Sequence, residues 1–150
     1  MRADREGGQI SVFLVGLVAV TLTIVFGIVG VTSVQLSRIH LLDAADAAAL
    51  DASDALAEEQ VYAGGLGSGV PVTGETVTEA AAAYLASRPV PGRLAGWAVA
   101  PGTGTPDGRT AVVTLTGTAR IPVVSPVLGA FGGGVSITVT SSARSDLLLP

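Results

Sequence analysis

The chain contains no cysteine, no lysine and no asparagine. Without cysteine, neither a disulfide framework nor a thiolate metal site can form. Without lysine there is no phosphate-binding P-loop lysine and no Schiff-base nucleophile, and without asparagine there is no N-glycosylation acceptor. Histidine occurs once, at His40, and has no cysteine to pair with; beside a long apolar run it reads as an interfacial polar residue rather than a general base. Charge is also sparse: 13% of the 150 residues are ionised and the net charge is −4. An acidic balance with arginines scattered in sequence argues against a nucleic-acid backbone as partner, because that role needs clustered cations.

What the chain has in excess is apolar sequence: 49% of residues are hydrophobic and mean hydropathy is +0.62. Much of it is concentrated. No charge occurs from Gly7 to Ser37, and residues 10–34, "ISVFLVGLVAVTLTIVFGIVGVTSV", are almost wholly apolar. As a helix those residues would reach roughly 37 Å, enough to cross a hydrocarbon core of about 30 Å with some tilt. The run exceeds the apolar region of a cleavable secretory signal and no convincing A-x-A cleavage site follows it, so an uncleaved anchor is expected. Arg2, Arg5 and the terminal amine outnumber Arg38 across the span, which favours residues 1–9 as a cytoplasmic leader, residues 10–34 as the span and residues 35–150 outside. Within the span Gly16, Ala19, Thr23, Gly27 and Gly30 recur at three- and four-residue spacing, a small-residue face that would let a second helix approach closely.

No proline or glycine interrupts residues 31–63, so the helix is predicted to leave the membrane and continue over residues 35–60. Its sequence there, "LLDAADAAALDASDAL", divides on a helical wheel. Leu41, Leu42, Ala45, Ala48, Ala49, Ala52, Ala55 and Leu56 fall on one side, and Asp43, Asp46, Asp51 and Asp54 on the other. The alanine side, with Ala45, Ala49 and Ala52 at its centre, suits close packing against a sheet or a neighbouring helix. The aspartates lack the loop and glycine turn of an EF-hand and the pocket that paired-carboxylate catalysis needs, so they read as a solvated or partner-facing surface.

Residues 61–75 are a glycine-rich connection. Residues 76–150 are expected to form a small outer α+β domain. In it "TVTEAAAAYLASRP" carries a capping-box pattern, Thr76 with Glu79, ahead of a short helix that ends near Ser87 because Pro89 follows. Val113, Leu115, Gly117, Ala119 and Ile121 then alternate with Thr114, Thr116, Thr118 and Arg120, a half-buried strand, and Val135, Ile137 and Val139 mark another. Asp107-Gly108 is a turn signal before the first of these, and the apolar insert "PVLGAFGGG" separates them. "GGLGSG" and "GTGTPDG" read as loops, and Leu66 stands where a G-x-S-x-G motif around Ser68 would need glycine. No constellation of acid, base or ligand residues is present, so no enzyme activity, cofactor or metal is expected.

The segment "GGQISVFLVGLVAVTLTIVFGIVGVTSVQLSRIHLLDAADAAALDAS" resembles the TadE/TadG-like proteins of the bacterial tight-adherence (Flp) pilus-assembly system. The resemblance rests on a short arginine-bearing leader, a Gly-Gln start, one apolar span and the signature run Ala44, Ala45, Asp46, Ala47, Ala48, Ala49, Leu50. It implies a pilin-like or pseudopilin-like α+β protein of the bacterial cytoplasmic membrane, a long N-terminal helix leading to a small extracytoplasmic antiparallel sheet, with other pilus-assembly or secretion proteins as partners. Prepilins cut by their dedicated peptidase typically have glutamate five residues after the glycine at the cut; after Gly8 that place holds Phe13, so an uncut anchor is expected. The competing expectation is an anchored envelope binding module unrelated to pili.

Overall fold

The computed structural model describes residues 7–66, 74–121 and 134–144. Five elements follow in chain order: α1 (Gly7–Leu66), α2 (Gly74–Ala86), β1 (Leu94–Val99), β2 (Thr110–Arg120) and β3 (Gly134–Arg144). The fold is α+β, as the sequence predicts: a long helix, a short helix and one antiparallel sheet in the order β1-β2-β3.

Helix α1 runs unbroken for 60 residues, about 90 Å at 1.5 Å per residue. It passes the expected end near Glu59 and takes in Gly64 and Gly65, because a pair of glycines lowers helix propensity without removing a backbone donor as proline would. Its two halves have different surroundings. Residues 9–29 are exposed on every side, and contact with the rest of the chain begins at Gly30. From there a seam of Ser33, Ser37, Leu41, Ala45, Ala48, Ala49, Ala52 and Leu56 is buried. The spacing of three and four keeps one stripe of the helix against the sheet.

That stripe lies on β2 and β3, with α2 beside it toward β1, giving two layers. The core joins the α1 seam to Val77, Ala81 and Leu85 of α2, to Leu94 of β1, to Ala111, Val113, Leu115 and Ala119 of β2, and to Ile137 and Val139 of β3. Leu41 shows how closely the layers meet: a Cβ placed on Gly117 would stand 3.3 Å from both Leu41 methyl carbons. The missing side chain in mid-strand is the socket that receives this leucine. Alanine elsewhere along the seam keeps the helix near enough for that contact to form.

The sheet has a regular register. β2 and β3 pair residue for residue from Thr110 opposite Arg144 to Arg120 opposite Gly134. β1 pairs with β2 from Leu94 opposite Ala119 to Val99 opposite Leu115, with an irregularity between Leu94 and Trp97. At the β1–β2 turn the Asp107 carboxylate accepts from the Arg109 and Thr110 backbone N–H groups and from the Thr110 hydroxyl, while Gly108 takes φ +69, as a tight turn at Asp-Gly requires.

Several details differ from the sequence reading. The short helix starts at Gly74, so Thr76 and Glu79 lie inside its first turns and do not form a capping box. Gly74 is pressed against Gly104, a close approach that fixes the start from outside the helix. Leu42 is exposed, one position round from the buried Leu41, and Ala55 is only half-buried. Thr114, expected on the solvent side, is 7% exposed because the Gly102–Thr103 strap crosses it; the Thr103 hydroxyl accepts from the Thr114 N–H and donates to the Thr114 carbonyl. Val135, expected inward, is 42% exposed near the end of an edge strand, where fewer neighbours cover it. Strand β1 was not separable from its surroundings in the sequence. The insert "PVLGAFGGG" lies outside the described residues except for its last glycine, Gly134, and the connection over residues 67–73 lies outside them as well.

Candidate functional site

Two surfaces of α1 and one end of the domain are candidates for function. The first surface is the bare segment, residues 9–29. Its window of highest hydropathy averages 2.8, none of it is buried, and the helix is long and apolar enough to cross a membrane. Its two threonines bond back to the helix: Thr21 donates to the Leu17 carbonyl at 2.9 Å and Thr23 to the Ala19 carbonyl at 2.8 Å. A hydroxyl bonded back to its own helix costs little in hydrocarbon, where a free one would be expensive.

The small-residue candidates divide along the helix. Nothing stands within 4 Å of a Cβ built on Gly16 or Gly27, and Ala19 and Thr23 are exposed. Phe13, Gly16, Leu17 and Val20 outline a shallow apolar groove on this part of the helix. Gly30 has a different neighbour, since its Cβ would meet Ile121 Cγ2 at 3.7 Å. Ala45, Ala49 and Ala52 are fully buried in this chain's own core. Of the signature run, Ala48 is buried with them, Ala44 and Ala47 are half-buried, and Asp46 and Leu50 face outward.

The second surface is the outer side of α1 beyond the bare segment. Ile39 (53% exposed), Leu42 (39%) and Leu50 (60%) stand there among Asp43, Asp46 and Asp54. Ile39, Leu42, Asp46 and Leu50 follow one another at spacings of three and four, so they form a single face turned away from the core seam. The aspartates project into solvent, and among the described residues no three His, Asp or Glu side chains come together as a metal site.

The third feature is the end of the domain where the bare helix leaves it. Ser33 donates to the Arg120 carbonyl at 3.0 Å, Ser37 to the Arg93 carbonyl at 3.3 Å, and the Arg120 N–H to the Arg93 carbonyl at 2.9 Å. These bonds place the end of β2 and the approach to β1 at this level. Helix α2 starts beside Gly104 at the opposite end and hands on to β1, so Arg88, two residues beyond its last residue Ala86, comes to the helix-exit end. Arg88 lies over the Tyr84 ring, 5.1 Å from its centroid. Arg38, Arg88, Arg93 and Arg120, which looked scattered in sequence, thus gather at one end and are all exposed. The carboxylates of Asp43, Asp46, Asp51, Asp54, Glu75, Glu79 and Asp107 lie farther out. The backbone N–H groups of Arg109 and Thr110 hold the Asp107 carboxyl below the usual value of 3.8, aided by the Thr110 hydroxyl.

An apolar helix of membrane-spanning length, continued as the spine of a small helix-on-sheet domain, defines the class of structure. Residues 8–57, about a third of the chain, match the family described as putative Flp pilus-assembly TadE/G-like. The matched segment holds the bare helix and the buried alanine seam together. No curated protein and no solved structure matches the chain. The family match and the exposed apolar helix together suggest a membrane-anchored component related to Tad pilus assembly.

Proposed function

We propose that this chain is a single-pass subunit or assembly factor of a Tad (Flp) pilus or related secretion apparatus, working by packing α1 against partner subunits. Residues 9–29 span the bacterial cytoplasmic membrane, the N-terminus lies inside, and the helix-on-sheet domain stands outside. The observation that carries this reading is the bare stretch of α1. A fully exposed apolar run of that length is sustainable only in lipid or against other apolar helices, and about 31 Å of helix matches a hydrocarbon core of about 30 Å. Because the same helix is the spine of the outer domain, a contact made in the membrane fixes the direction in which the domain points. The face of Ile39, Leu42 and Leu50 extends that contact beyond the bilayer.

Deletion of the gene and blue-native electrophoresis of gently solubilised membranes test the proposal together. The expected result is loss or reduction of pili and migration of the protein in a complex with other assembly proteins. Strictly monomeric migration with unaltered pilus output contradicts it.

A further inference from the structure

We propose that the helix-exit end of the domain is a docking surface for anionic phospholipid head groups of the bilayer that its own helix enters. Arg38, Arg88, Arg93 and Arg120 form the surface. The inference rests on the reading of residues 9–29 as a membrane span and adds to it what the domain touches there.

Placement comes first. If Val29 is the last residue in hydrocarbon, Ser33 stands four residues, about 6 Å, beyond it, which is within the head-group layer. The Ser33 hydroxyl holds the Arg120 carbonyl, so the end of β2 lies at that depth. The Ser37 hydroxyl holds the Arg93 carbonyl one helical turn farther out, and Arg38 follows it on α1. A flexible arginine there can lay its stem along the surface and place its guanidinium among phosphates.

Charge comes second. Arg93, the residue before β1, and Arg120, the last of β2, are joined by a backbone hydrogen bond, which sets two like-charged residues side by side, an arrangement that a counter-charge stabilises. The chain is acidic overall, yet the carboxylates of its described residues are placed elsewhere. The first one along α1, Asp43, is five residues, about 7.5 Å, farther from the membrane than Arg38. None of the four arginines forms an ion pair with a described residue. Unneutralised guanidinium groups gathered on the side that faces lipid fit phosphate, which they bind in a planar two-pronged geometry.

The absence of native cysteine permits a direct test on the full chain. A fluorophore on Ala95→Cys, an exposed site at the start of β1, is read in nanodiscs carrying a nitroxide on a fraction of the head groups. A second label on Ser142→Cys, at the far end of β3, serves as control. Quenching at position 95 is expected to rise about twofold when phosphatidylglycerol replaces part of the phosphatidylcholine, and to fall back in about 1 M salt. The rise should vanish in R88Q/R93Q/R120Q, persist in the matching lysine variant, and be absent at position 142. Equal quenching in both lipids, or an unchanged rise in the glutamine variant, overturns the proposal. A full chain that does not stay with the discs overturns the membrane reading itself, and this inference with it.

Discussion

At the residue scale, the packing of the domain depends on side-chain size along the α1 seam. Leu41 fills the space over Gly117, and Ala45 and Ala49 hold the helix close enough for it to do so. Leucine at Ala45 or Ala49 has no free space to enter and should destabilise the helix-on-sheet domain by about 1–3 kcal/mol. Asparagine at Asp43 or Asp54, both in solvent, should change stability by less than about 0.5 kcal/mol. Denaturant melts of the full chain in mild detergent measure both. Gly117→Ala should also destabilise, since its methyl would stand 3.2 Å from the Gly96 carbonyl oxygen as well as against Leu41.

Asp107 gives a pH signature at the same scale. Its carboxyl is held below its ordinary value in the folded state by the Arg109 and Thr110 N–H groups. A depressed folded value means that the ionised form favours folding above the unfolded value of 3.8, and that this contribution is lost as pH falls through the folded value. Asp107→Ala should therefore lower the melting temperature at neutral pH and approach the parent protein in acid. A deficit that stays constant from pH 7 to about pH 2 would contradict the role of the charge.

At the element scale, how much of each segment the sequence reveals depends on how locally it is determined. The bare helix is plain because a missing charge is a property of each residue alone. The buried seam is nearly as plain, since Leu41, Ala45, Ala48, Ala49, Ala52 and Leu56 recur at helical spacing, and the alternation in β2 places Val113, Leu115 and Ala119 inward as found. Other features need a partner before they have meaning. β1, "LAGWAV", is short and rich in alanine and glycine, so its strand character comes from pairing with β2. The start of α2 is set by Gly74 against Gly104, and Thr114 is buried by a strap eleven residues upstream, neither of which a local pattern encodes. The continuity of α1 through the domain boundary leads to a prediction for this scale. Thr32→Pro should kink the helix between its bare and packed parts, at a cost of about 3 kcal/mol, and should impair assembly even where the protein remains in the membrane. Pilus counts beside membrane-fraction levels check it.

At the scale of the whole molecule, the helix-on-sheet domain is inseparable from the second half of α1, because the core is completed by Leu41 and the alanines behind it. A fragment of residues 73–150 should be largely unfolded, whereas one of residues 30–150 should be soluble and melt cooperatively; circular dichroism distinguishes the two. Only at this scale do Arg38, Arg88, Arg93 and Arg120 become a group, since their positions span most of the outer sequence and nothing short of the topology brings them together. The candidate packing residues likewise sort themselves only in three dimensions: Ala45, Ala49 and Ala52 serve the internal core, while Gly16, Ala19, Thr23 and Gly27 stay open to a neighbour.

The central claim is that α1 acts as an anchor whose open face packs against partner subunits. Photo-crosslinking in living cells, with a crosslinker placed singly along the helix, tests it most directly. The account predicts adducts with other pilus-assembly proteins from Gly16, Thr23, Ile39 and Leu50 and none from Ala45 or Ala49. Adducts missing from every exposed position, or appearing with equal yield from the buried ones, would contradict it.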